Sequence, residues 1–230
     1  DTTNGLVEVE AGIDWPNLAK KLAEIQSMPG QGKLAKWGFN QKPTGVDGVS
    51  LGGCLSANIH GRGLTHGPII QDVEAFKIVT ADGQCLTCSR NENTELFQLA
   101  IGGYGLFGVI YAVTLRLVQR QKVRRVVDIA SIDYLMCEFD HAIENGALYG
   151  DCQFKIDSED PYFLGEGIFS YYEPVPNSIP IPKNQKTLAI DDWKHLAYLA
   201  HVDKKDAFQR YVDHYLSTNG QIYWSDAHQL

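Results

Sequence analysis

The sequence has no hydrophobic run long enough to cross a bilayer, no basic cluster beyond Arg124 and Arg125, and no even set of cysteines. A membrane-spanning helix needs about 18 or more uncharged apolar residues in succession. The longest apolar runs are strand-length, such as Val109–Val118, and that one contains Arg116. Asp1–Glu10 lacks the basic start and apolar core of a signal peptide. There is no initiator Met, which fits either processing or a fragment. Lys and Arg number 20 against 28 Asp and Glu, for a formal charge of −8. Scattered cations on an acidic chain argue against a nucleic-acid partner, whose phosphates call for clustered basic residues. The five cysteines, Cys54, Cys85, Cys88, Cys137 and Cys152, are irregularly spaced. They make a poor disulfide framework and point to a reducing compartment, so a cytoplasmic location is expected. No internal repeat or low-complexity tract is present. What remains is a chain of 230 residues in ordinary globular proportions, enough for one large domain or two small ones.

Patterning divides the chain into an α+β series of elements. Leu6–Glu10 alternates as a half-buried strand does. Asp14 can cap a helix with Pro16 in its first turn, running through Leu18, Leu22 and Ile25. Pro29–Gly48 reads as loop, and Ser50–Asn58 as one or two helical turns. Val73–Thr80 and Gln84–Ser89 form a hairpin around Ala81-Asp82-Gly83. Asn93 or Thr94 caps a helix through Ala100, and a strand follows to Val118. Lys122–Ala130 is a further strand, and Ser131–Asn145 an amphipathic helix stopped by Gly146. Asp151–Asp157 and Glu166–Tyr172 read as strands, Pro174–Pro182 as an extended connector, and Asp191–Ser217 as helix broken near Asp203. A domain boundary is expected between residues 120 and 150.

Two glycine clusters carry the functional signal. Gly103-Tyr104-Gly105-Leu106-Phe107-Gly108 fits G-x-G-x-x-G, but it follows a helix and opens a strand. A Rossmann fingerprint follows a strand and opens a helix, so a nicotinamide dehydrogenase is disfavoured. The other cluster, Thr44-Gly45-Val46-Asp47-Gly48-Val49-Ser50-Leu51-Gly52-Gly53-Cys54, is the better phosphate candidate. Glycines there permit close backbone approach, and a helix opened by Gly52 and Gly53 would favour an anion. Read alone, the same residues also suit a tight structural turn.

Ser50-Leu51-Gly52-Gly53-Cys54-Leu55-Ser56-Ala57-Asn58-Ile59-His60-Gly61-Arg62-Gly63 resembles the second flavin-binding stretch of the FAD-linked oxidases. These are the vanillyl-alcohol-oxidase-like enzymes with a PCMH-type FAD domain. Asp72-Val73-Glu74-Ala75-Phe76, the Asp82-Gly83 hairpin, Glu95-Leu96-Phe97 and Gly102–Thr114 follow in matching order. The likeness covers roughly residues 6–130 and is greatest to the group of aldonolactone oxidases, alditol oxidase, decaprenylphosphoryl-ribose oxidase and sterol Δ24-reductase. It implies an α+β fold: residues 1–125 as the second subdomain of a PCMH-type FAD domain, with a mixed or antiparallel sheet and flanking helices. Residues 126–230 would be part of a substrate or cap domain. The family's first FAD subdomain is expected to be missing, as is the rest of the substrate domain. The cofactor implied is FAD, held by Gly52, Gly53 and Cys54 at the pyrophosphate with Thr44 and Gly45 beside it. Asn58, Ile59, His60 and Gly61 would run along the flavin, and Gly105, Gly108 and Val109 along the adenine. The activity implied is hydride transfer from a CH–OH group of a small-molecule polyol, sugar or sugar lactone to flavin N5.

His60 is the candidate catalytic residue, since imidazole suits proton transfer near neutrality; it equally suits a structural role at the Gly61–Gly63 turn. Cys85 and Cys88 lack the second pair a zinc site needs. His66 reads as a loop residue, and His141, His195 and His201 as ordinary helix residues, with no metal motif. Tyr223–His228 forms a polar-aromatic cluster that would face substrate or fray. A flavin reductase and a cofactor-free scaffold stay open as alternatives.

Overall fold

The computed structural model describes residues 3–27, 37–43 and 48–227. The chain divides into two compact units, Asp1–Arg120 with Trp224–Leu230, and Gln121–Tyr223.

The first unit opens with β1 (Leu6–Glu10) and α1 (Trp15–Ser27). The Asn17 N–H donates to Asp14 Oδ1 at 2.8 Å, the cap expected from the sequence, and α1 buries Trp15, Leu18 and Leu22. A two-residue strand, β2 (Trp37–Gly38), lies within the stretch read as loop. Then come α2 (Leu51–Ala57), a 3-10 turn at Ile69–Gln71, the hairpin β3 (Val73–Val79) and β4 (Cys85–Ser89), α3 (Thr94–Ala100), β5 (Val109–Arg116) and β6 (Val118–Gln119). Asn93 holds the N-cap place of α3, but its side chain donates to Thr87 O at 2.7 Å and makes no cap bond. Four strands form an antiparallel sheet in the order β1-β5-β3-β4. One apolar cluster joins Phe76, Ile78 and Val113 of this sheet to Leu18 of α1, Leu55 of α2 and Phe97 of α3. The ion pair Lys77–Glu8 at 2.9 Å is half-exposed. The β3–β5 register shifts between Lys77 and Ile78, so β5 is irregular where it leaves the second glycine cluster.

The second unit contains β7 (Lys122–Ser131), α4 (Ile132–Glu144), β8 (Tyr149–Phe154), β9 (Glu166–Val175), α5 (Ile190–Val202), α6 (Lys204–Ser217) and most of β10 (Ile222–Trp224). The sheet order is β10-β7-β9-β8. Adjacent β9 residues point to opposite faces. Ile168 packs with Val212 and Tyr215 of α6, whereas the Phe169 ring meets Phe139 of α4 at 4.8 Å. The sheet is thus covered on both sides by helices. β9 runs through Pro174 to Val175, beyond the expected end at Tyr172. The β8 pairing stops at Tyr172, so Pro174 faces only β7, and its missing N–H leaves no β8 ladder bond unmade. Arg125 is buried among Tyr172, Tyr215 and Tyr223, with ring centroids at 5.2, 5.0 and 5.0 Å. Its Nε donates to the Tyr172 hydroxyl at 2.8 Å and its NH1 to Thr218 Oγ1 at 2.9 Å.

Among the described residues no helix is long and apolar enough to cross a membrane. All five cysteines are free thiols.

Candidate flavin site

The short helix α2 is the centre of the site, and its ends are tied to different parts of the first unit. At the start, Ser50 caps the helix, with the Gly53 N–H donating to Ser50 Oγ at 3.3 Å. The Leu51 N–H donates to Ile13 O at 2.8 Å and the Gly52 N–H to Ala11 O at 2.7 Å, fastening α2 to the end of β1. The Cys54 N–H closes the first helical turn on Ser50 O at 3.0 Å. These bonds narrow the sequence expectation that Gly52, Gly53 and Cys54 all present amides to a diphosphate. Gly52 and Cys54 spend theirs inside the protein. Only Gly53, through its long cap bond, keeps one to share.

The two glycines also differ in their surroundings. A Cβ on Gly52 would stand 3.0 Å from Ala11 Cβ and 3.2 Å from Ala11 O, so close packing on β1 requires that glycine. A Cβ on Gly53 would meet only Ser50 Oγ, at 3.1 Å, and the residue is exposed. Gly53 is therefore the place where a ligand can approach the backbone closely. The Cys54 thiol is buried and accepts from Trp15 Nε1 at 3.2 Å; burial raises its pKa. Cys54 is thus a core residue.

The far end of α2 meets the second glycine cluster. The Gly102 N–H donates to Leu55 O and the Tyr104 N–H to Ser56 O, each at 2.9 Å. Asn58 ends the helix in the left-handed conformation at φ 45°, a place Asn tolerates well. Its Oδ1 accepts the Ile70 N–H at 3.3 Å. Two segments 45 or more residues apart in the sequence, each proposed separately for cofactor contact, thus form one continuous backbone surface. Gly105 has φ +79° with nothing near its missing Cβ, whereas Gly108 at φ +138° sits against the Val79 carbonyl. The second cluster and the β5 start leave Tyr104, Leu106 and Val109 exposed at 79%, 85% and 71%. Three large apolar side chains thus stand exposed within six residues, an uncovered apolar patch.

Ile59 is half-buried against the core, and its N–H donates to Cys54 O at 3.1 Å. His60 is exposed, and its Nδ1 lies 3.0 Å from Gly61 O. A carbonyl can only accept, so this contact is a hydrogen bond when Nδ1 carries a proton. Thr44 and Gly45 lie outside the described residues, as does His228. Asp226 is buried and bound by Arg120 Nε at 2.7 and 2.9 Å, with the Arg120 guanidinium 4.6 Å over Trp224, and Ser225 is buried. Gln41, which the sequence reading passed over, is buried beside the Gly61 loop.

Residues 1–89 match the model of a family described as FAD binding domain. Over that stretch the chain is similar to the FAD-binding part of FAD-linked oxidases. FAD is the cofactor of this family, and the backbone surface along α2 fits it: an open glycine, a shareable amide and apolar side chains left uncovered. The family match ends at Ser89, before the second glycine cluster. Among curated relatives, D-arabinono-1,4-lactone oxidase of Yarrowia lipolytica is 30% identical over 143 residues, 60% of this chain and 25% of the relative. L-gulonolactone oxidase of Bos taurus is 36% identical over 119 residues, 51% of this chain and 24% of the relative. Cytokinin dehydrogenase 9 of Oryza sativa subsp. japonica is 38% identical over 87 residues, 37% of this chain and 17% of the relative. The lactone oxidases were expected from the sequence; the cytokinin dehydrogenases were not. The matched stretches thus span a quarter or less of these relatives' lengths. A solved structure of a histidine-to-alanine mutant of cholesterol oxidase from Brevibacterium sterolicum superposes with a TM-score of 0.66 at 15% identity. It covers 96% of this chain and 45% of that one, and shows that the chain shares that α+β fold.

Proposed function

We propose that this chain holds FAD for an oxidoreductase that takes a hydride from a CH–OH carbon of a polyol, sugar or sugar lactone. The observation that carries the reading is the joining of the two glycine segments along α2, through Gly102 to Leu55 and Tyr104 to Ser56. FAD, when bound, supplies the hydride acceptor at N5. The chain's own residues bind and orient. Gly53 admits the diphosphate where a side chain would obstruct it, with Thr44 and Gly45 assigned beside it by resemblance. Asn58, Ile59, His60 and Gly61 run along the ring system, and Gly105, Gly108 and Val109 along the adenine. Gly52 and Cys54 hold α2 in place behind them. The exposed His60 ring is placed to take up the proton of a substrate hydroxyl through Nε2. The second unit is assigned to the substrate side.

The lactone-oxidase matches support a sugar-derived substrate, and the matches to cytokinin dehydrogenases favour a second reading with a cytokinin in that place. Anaerobic mixing of the FAD-loaded protein with sugar lactones, polyols and cytokinins separates them. Bleaching of the flavin band by a lactone or polyol is expected. Bleaching by a cytokinin alone would favour the second reading, and no bleaching by any of them would overturn both.

A further inference from the structure

The segment from Gly61 to Gly67 is a compact loop pinned at its neck by one side chain. Gln41 accepts the Gly61 N–H through Oε1 at 3.2 Å and donates from Nε2 to Gly67 O. The two anchor points are six residues apart in sequence, and one buried carboxamide closes them together. The loop packs closely at its glycines, where a side chain would not fit. A Cβ on Gly61 would lie 2.7 Å from Lys42 O, one on Gly63 2.6 Å from His66 Nδ1, and one on Gly67 2.5 Å from Gln71 Nε2. Gln71 adds a bond from inside, its Oε1 accepting the Gly67 N–H at 2.9 Å. The neighbouring Asn40 ties the segment carrying the clasp to the end of the 3-10 turn, its Nδ2 donating to Asp72 Oδ1 at 3.2 Å.

We propose that Gln41 is a positioning residue that clasps the Gly61–Gly67 loop and thereby fixes His60 and Gly61 for contact with the flavin. The inference rests on the proposed flavin reading for its consequence, but the clasp itself rests on geometry alone. The choice of residue is chemical. A carboxamide is the smallest side-chain group offering a donor and an acceptor side by side, and both are used. A carboxylate of the same shape could still accept from Gly61 but would face Gly67 O with no proton to give. A thioether of similar length would fill the space and make neither bond.

Three replacements, Gln41→Glu, Gln41→Met and Gln41→Ala, test this by hydrogen exchange of the peptide spanning residues 59–70, with the α3 peptide as internal reference. Exchange in 59–70 is expected to quicken about tenfold in all three, the loss of one net hydrogen bond or more, with α3 unchanged. Wild-type exchange rates in Gln41→Met and Gln41→Glu would overturn the clasp. Should the variants fail to fold, the wild-type protein supplies the test: the Gln41 side-chain amide protons must exchange far more slowly than those of exposed Asn and Gln. Free exchange there would overturn the proposal. FAD retention is read separately. Wild type that binds FAD and a Gln41→Glu variant that binds about tenfold more weakly, with an altered flavin circular dichroism spectrum, is the result expected. A quickened loop with unchanged FAD binding and spectrum would overturn the positioning role and leave the clasp. A wild type that binds no FAD would count against the flavin reading and not the clasp.

Discussion

Replacing Gly52 and Gly53 with alanine, one at a time, should separate a glycine kept for packing from one kept for a ligand. The Cβ of Gly52→Ala would press on Ala11 Cβ at 3.0 Å and Ala11 O at 3.2 Å, with Ile110 O at 3.6 Å. Two of these atoms are backbone carbonyl oxygens, and the helix cannot back away without stretching the 2.7 Å bond from Gly52 N–H to Ala11 O. Overpacking of this kind costs about 1–3 kcal/mol. The better helix propensity of Ala returns about 1 kcal/mol, leaving a net loss of up to about 2 kcal/mol. The Cβ of Gly53→Ala meets only a hydroxyl at 3.1 Å, which can rotate at the expense of the weak 3.3 Å cap bond. A cap is worth about 0.5–2 kcal/mol and the propensity gain is about 1 kcal/mol, so the two roughly cancel. Urea denaturation followed by circular dichroism would measure both. FAD affinity should run the other way, falling about tenfold or more in Gly53→Ala and staying near wild type in folded Gly52→Ala. Equal destabilisation by the two substitutions, or undiminished FAD affinity in Gly53→Ala, would refute the assignment.

Arg125 is buried among three tyrosine rings, so Arg125→Ala should destabilise the second unit by about 3 kcal/mol or more, measured by thermal unfolding. Arg125→Lys should rescue little, because an ammonium cannot bond Tyr172 and Thr218 while stacking on the rings. Burial pushes the Cys152 thiol up to about 11, so its thiolate fraction at pH 8 is about two hundredfold below that of an ordinary thiol. Alkylation by iodoacetamide should spare Cys152 while the exposed Cys85 and Cys137 react; rapid labelling of Cys152 in folded protein would be inconsistent with its burial. Burial also raises the Asp72 carboxyl, against the opposing pull of Asn40, Gln41, His66 and Arg116. The folded state therefore holds that proton more tightly than the unfolded chain. Stability from this group is full below the unfolded value of about 3.9 and is lost as pH rises through the folded one. Asp72→Asn should remove that loss, so its stability curve should exceed wild type more at pH 7 than at pH 3.5; parallel curves would contradict the sign.

The elements were legible where local chemistry fixes them. Asp14 capping α1, the short helix from Ser50, the helix from Ser131 and the turn at Gly83 all follow from residues a few positions apart. The order of motifs pointed to FAD-linked oxidases, and the FAD binding domain match over residues 1–89 agrees. What the sequence could not show depends on partners far along the chain. Gly52 reads as a phosphate glycine, but its immediate neighbour is Ala11, nearly forty residues earlier, met only once α2 packs on β1. Gln41 has no motif, since its partners are bare backbone groups at Gly61 and Gly67. Trp37–Gly38 pairs with Val118–Gln119, too short a bridge for any periodicity. Pro174 argued for a connector, and only the end of the β8 pairing shows why a strand tolerates it.

The central claim is that the backbone surface along α2 holds FAD. The most direct test is the visible spectrum of the purified chain after incubation with FAD and desalting. Flavin bands at about one FAD per chain are expected, diminished in Gly53→Ala. A colourless protein from correctly folded chain, or bands indifferent to Gly53→Ala, would contradict the account.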